Sequence, residues 1–130
     1  MKTYGHYLRV LEALRSITTY VAPDGTKRTN NFGSETYNVA RAIKKLEKVE
    51  EEFMTFRNDI IKQHNPDNHE VVDDQTRRAI ESGYNVLVTT VVDDIVLQPI
   101  SHEALFSNGN VVNADAIATL LDYITISDNE

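Results

Sequence analysis

His64, Asp67 and His69 lie within six residues of one another. A loop that turned them inward would offer two imidazoles and a carboxylate to a divalent metal. A zinc site asks for more committed ligands and a filled fourth position. His64 is better read as the basic end of a helix, where partial positive charge is favourable. Two carboxylate doublets, Asp73-Asp74 and Asp93-Asp94, raise a second chemical option. Paired acids hold Mg²⁺ or divide acid and base roles. Adjacent strand residues, however, point to opposite faces, and adjacent helix residues diverge by about 100°. Neither doublet is therefore a preformed pair. A helix cap for the first and a solvated strand start for the second are the simpler readings.

Other motifs are weaker still. The five Gly are isolated, so no phosphate-cradling loop is present. A Gly-x-Ser-x-Gly elbow is absent. His102-Glu103 lacks the second His of a zinc protease helix. Glu50-Glu51-Glu52 reads as a wet helix surface. Arg77-Arg78 is expected to neutralise Asp73, Asp74 and Glu81. Tyr4, Tyr7, Tyr20 and Tyr123 suit core margins, although Tyr also favours interfaces. No catalytic residue, metal or cofactor is expected.

Composition narrows the class. The 130 residues are 41% hydrophobic and 25% charged, ordinary for a single globular domain. Without Cys there are no disulfides and no thiol chemistry. No apolar run approaches the roughly 20 residues that span a bilayer. Arg9, Glu12 and Arg15 interrupt the N-terminal apolar pattern, unlike a secretory signal. A soluble, cytoplasmic protein is expected. The net charge of −7 is uneven: residues 1–65 hold 11 basic and 8 acidic side chains, a balance of +3, and residues 66–130 hold 2 and 12, a balance of −10. Such an acidic half repels phosphate backbones and attracts basic surfaces. Its simplest role is to keep the protein soluble.

The elements that would position these groups are clearest in residues 34–64. Val39, Ile43, Leu46, Phe53, Phe56 and Ile60 make one helical stripe, widened by Ala42 and Val49. Ser34 is the expected N-cap. Residues 4–19 make a shorter stripe from Tyr7, Leu8, Leu11, Leu14 and Ile17. A polar loop over 22–31, with the turn signal Pro23-Asp24-Gly25, joins the two into an antiparallel hairpin. Beyond Pro66 a short strand is expected at 69–72. A third helix capped by Asp73 or Asp74 should reach about Thr90, although its β-branched end also suits a strand. A strand over 95–97, a helical turn capped by Ser101, and a last helix capped by Asn113 follow. That last helix would bury Ile117, Leu120, Leu121 and Ile124. The expected fold is mainly α (α+β): a long antiparallel helical hairpin, a small two-stranded β element and a short C-terminal helix. One domain would span 1–130, with the hairpin in 1–65, an acidic mixed portion in 66–126 and a frayed tail at 127–130.

The stretches NNFGSETYNVARAIKKLEKVEEEFMTFRNDIIKQHN and VDDIVLQPISHEALFSNGNVVNADAIATLLDYI carry a resemblance. In feature order the chain resembles a group of small tailed-phage proteins of unknown function. Their pattern is a long Lys/Glu-rich helix with a spaced aromatic, then a Pro-containing strand leading into a compact terminal helix. GYNVLVTTVV is more β-branched than that group's third helix. The resemblance implies a phage or prophage origin and transfers no catalytic residue. Two functions are then expected. The first is a non-enzymatic protein that binds and occludes a host defence or regulatory factor through an acidic surface, with Asp73, Asp74, Asp93 and Asp94 making the contact. The alternative is a tail-associated or virion assembly factor. The partner would be a host protein with a basic surface. Neither nucleic acid nor membrane is expected to bind, and self-association through the long helix is compatible with both readings.

Overall fold

Two amphipathic stripes become the two principal helices of the structure, a computed structural model in which residues 2–125 are described. The chain opens with β1 (Lys2–Thr3) and α1 (Tyr4–Thr18). Tyr7, Leu11, Leu14 and Ile17 are buried, as their spacing requires, whereas Leu8 is only half-buried and Val10, beside the stripe, is fully buried. The helix yields to a strand at its β-branched end, where χ1 crowding disfavours another turn. β2 (Thr19–Val21) then pairs antiparallel with β3 (Lys27–Thr29), Tyr20 opposite Arg28. The turn falls at Asp24-Gly25, with Gly25 at φ +85° and the Asp24 carboxylate accepting from the Thr26 amide at 3.0 Å. The 22–31 segment is thus the turn and return strand of a hairpin rather than an irregular loop.

Ser34 does not cap the long helix. Gly33–Glu35 form a 3-10 turn entered through Gly33 at φ +59°, and α2 runs from Thr36 to His64. Val39, Ala42, Leu46, Val49 and Phe53 are buried along it. Phe56, expected on the same buried stripe, is 44% exposed. Phe56 instead borders a groove shared with α3 (Asp74–Val88), which follows an irregular segment. No strand forms at 69–72; there Asn65 closes a turn, its side chain donating to the His69 carbonyl at 2.9 Å. α3 comes nearest α2 where Gly83 faces Ile60, and a Cβ on Gly83 would lie 2.9 Å from Ile60 Cγ2. Within α3, only Leu87 is buried.

The β-branched run divides between the two alternatives. α3 ends at Val88, and the Thr89 and Thr90 hydroxyls donate back to the Asn85 and Val86 carbonyls. β4 (Val91–Val92) then pairs antiparallel with β1. The strand expected over 95–97 falls instead after Pro99, where β5 (Ile100–Ser101) pairs parallel with β6 (Ile124–Thr125). Pro lacks the amide that a ladder needs, so pairing starts beyond it. Ser101 caps α4 (His102–Phe106) and Asn113 caps α5 (Ala114–Leu120), both as expected. α5 tightens into a 3-10 turn at Leu121–Tyr123. Leu121 is therefore exposed, and Ile124 sits in β6 rather than on the helix face. The architecture is mainly helical, with three two-stranded sheets among the described residues. The tail expected at 127–130 lies outside the described residues.

The chain divides into two compact units. The first comprises Met1–Leu8 and Glu47–Asp94; the second comprises Arg9–Leu46 and Ile95–Glu130. The second holds the largest fully buried side chains among the described residues, Leu11, Ile17, Leu46, Leu105 and Leu120 among them. Its one buried polar side chain among the described residues, Asn30, is fully engaged. The Asn30 amide donates to the Ile17 and Val111 carbonyls at 2.6 and 2.8 Å and accepts from the Val111 amide at 3.0 Å. Such pairing removes the cost of an unsatisfied buried group.

Candidate functional site

The acidic doublets occupy the first unit, and the structure assigns them different local tasks. Asp73 is the N-cap of α3, its carboxylate accepting from the Thr76 amide at 2.7 Å. That backbone hydrogen bond holds its carboxyl below the usual range. Asp74 lies 3.2 Å from the Arg77 guanidinium, one helical turn away. Asp93 and Asp94 follow β4 and are exposed. Fourteen residues of α3, 75–88, stand between the pairs, about 21 Å at 1.5 Å per residue. The doublets therefore flank opposite ends of one helix and do not form a single cluster.

The metal-ligand candidates are also dispersed. His64 ends α2. His69 Nε2 lies 3.9 Å from Asp67 Oδ2, with both side chains exposed. Among the described residues, no group of three or more His, Cys, Asp or Glu side chains is placed to hold a metal.

What the sequence did not reveal is an open apolar surface on the first unit. Tyr4 anchors it from α1. Its ring meets Phe53 at 5.7 Å and Phe56 edge-on at 6.4 Å, and Phe53 meets Tyr84 edge-on at 5.7 Å. The Tyr4 hydroxyl donates to Glu52. Burial, aided by the Glu52 hydrogen bond and charge, pushes the Tyr4 hydroxyl up to about 12. Grooves open on either side of the Ile60–Gly83 approach. One, of about 520 Å³, is lined by Met54, Arg57, Ile61, Ile80 and Tyr84. The other, of about 550 Å³, is lined by Glu52, Phe56, Asp59, Val86 and Leu87. Val86 is 65% exposed. Contiguous exposed apolar area of this kind marks contact sites more often than isolated surface residues do.

Charge follows the same division. The first unit has 6 basic and 12 acidic side chains, a balance of −6; the second has 7 and 8, a balance of −1. The acidity read from the C-terminal half of the sequence thus gathers on the unit that carries the grooves. Glu47, Glu50, Glu51, Glu52 and Asp59 of α2 contribute to it, and a count by sequence halves had set them against the basic residues of 1–65.

Among the described residues, no helix is long and apolar enough to cross a membrane. No protein-family model matches the chain, and no curated protein or solved structure is detectably similar to it.

Proposed function

We propose that this is a non-enzymatic phage or prophage protein that binds a host protein, a defence or regulatory factor, and occludes a basic surface on it. The observation that supports this reading is the coincidence on one unit of a −6 charge and exposed apolar side chains. A protein interface combines an apolar centre with a polar rim, and complementary charge speeds encounter. The same charge repels phosphates and anionic lipid, which argues against nucleic-acid and membrane partners. A phage or prophage origin, as the resemblance implies, would put the partner in the cytoplasm of a host cell.

Asp93 and Asp94 are the rim charges chosen for a test, because both are exposed and neither caps a helix, as Asp73 does. Affinity capture from host lysate, followed by association kinetics with the recovered protein, compares the wild type with a double Asp93→Lys, Asp94→Lys variant. Slower association with a flatter salt dependence supports the reading, since rim charges act mainly on encounter. Equal rates and equal salt slopes contradict it. The grooves also favour a second reading, a tail-associated or virion assembly factor whose apolar surface is covered permanently. Presence of the protein in purified particles selects that alternative.

A further inference from the structure

The groove containing Phe56 and Val86 has an apolar floor and an acidic rim. On α2, Glu52, Phe56, Asp59 and Gln63 succeed one another at i, i+4, i+7 and i+11, spanning about 17 Å at 1.5 Å per residue. Gly83, Val86 and Leu87 of α3, with Thr90 just beyond its end, make the facing wall. The absent side chain at Gly83 brings the two helices together and sets the floor at Ile60. Two carboxylates and no Lys or Arg line the groove among the described residues. The other groove pairs one Arg with one Glu and is electrostatically neutral by comparison.

We propose that the acid-rimmed groove receives an amphipathic helix of the partner protein, with apolar side chains in the groove and Lys or Arg along its edges. The inference rests on the partner-binding reading above and specifies the partner's chemistry. Two helices with an apolar trough between them suit a third helix, read through anchors at i, i+4 and i+7. A trough of about 17 Å matches about three helical turns. Flanking Lys or Arg would meet the carboxylates of Glu52 and Asp59. A second copy of this chain is the wrong occupant on charge grounds. Two-fold self-association would set one −6 unit against another and bring like charges together.

The test uses the full chain and a labelled helical peptide of about 15 residues, with Leu at the anchor positions and Lys elsewhere. A second peptide carries Glu in place of every Lys. At physiological ionic strength, the Leu/Lys peptide is expected to saturate one site and the Leu/Glu peptide to leave it empty. Val86→Asp separates docking from plain charge attraction, because it adds negative charge while removing an apolar wall. Docking in the groove makes this variant bind about tenfold more weakly, as for loss of one interface anchor. Equal or tighter binding shows that the peptide is held elsewhere by charge and overturns the proposal. Methyl NMR on the wild type gives an independent readout should the variant fold poorly. The Ile60, Val86 and Leu87 methyls must shift on peptide addition, and unmoved methyls overturn the proposal. A wild-type dimer that Val86→Asp converts to monomer also overturns it, by assigning the groove to a second copy. Failure of the peptide while host capture still depends on Asp93 and Asp94 rejects the groove alone. Failure of both removes the partner-binding reading too.

Discussion

The two units bury their apolar residues to different extents. In the second, Leu11, Leu14, Ile17, Leu46, Leu105 and Leu120 are sealed, and Asn30 makes three buried hydrogen bonds. In the first, the core is small: Tyr4, Tyr7, Val49, Phe53 and Leu87 are buried, and Met54, Phe56, Tyr84 and Val86 remain exposed. Both units leave apolar side chains exposed, Tyr37, Val96 and Leu121 among those of the second, but in the first Met54, Phe56, Tyr84 and Val86 border two grooves. The first unit also carries most of the negative charge. Local stability should follow the same division, because segments with little buried apolar area open at lower free energy.

The largest expected effects come from cutting each core at its centre. Leu46→Ala should cost about 2–5 kcal/mol and Phe53→Ala about 3–5 kcal/mol, by lost transfer energy and the cavity left behind. They should differ in reach. Hydrogen exchange should show that Phe53→Ala exposes the α3 amides while those of α5 stay protected. A uniform loss of protection across both units would erase the distinction. Lys48→Ala, at an exposed position of α2, is the control and should leave the melting temperature nearly unchanged.

A smaller effect should appear at high pH. The Tyr4 hydroxyl titrates at about 12 when folded, against 10.0 as the ordinary value. A raised folded pKa stabilises fully below pH 10 and is lost as pH rises toward 12. Melting temperatures across that window should fall more steeply for the wild type than for Tyr4→Phe. Parallel slopes would place Tyr4 outside the structure that holds the first unit. The smallest expected change is at the α3 cap. Asp73→Ala should lower the melting temperature by a few degrees, because the Thr76 amide loses its acceptor. The same stability loss should appear in the wild type as pH drops through the depressed Asp73 pKa.

Periodicity made α1, α2 and the buried residues Leu46 and Phe53 legible from the sequence. Cap chemistry did the same for Ser101 and Asn113, and narrowed the start of α3 to Asp73 or Asp74. These are local signals, each carried within one or two turns of chain. The misread features depend on contacts between distant segments. In the turn where Ser34 is the expected cap of α2, Glu35 instead accepts from the Ser101 amide at 2.8 Å. The strand at Ile100 forms because Ile124 lies beside it. Phe56 continues a helical stripe that α3 does not cover, so spacing alone made it a core residue. The groove was illegible for that reason: its walls are α2 and α3 side chains brought together by the absent side chain of Gly83. The acidic surface was only partly legible, since folding regroups charges that sequence halves had averaged.

The most direct test maps partner contact onto the two units. Hydrogen exchange of the full chain, measured with and without the captured host protein, reads each segment separately. Slower exchange is expected in α3 and in residues 52–63, with residues 9–46 unchanged. Protection confined to residues 9–46 or 95–125, with α3 exchanging as in the free protein, would contradict the assignment of binding to the acidic, grooved unit.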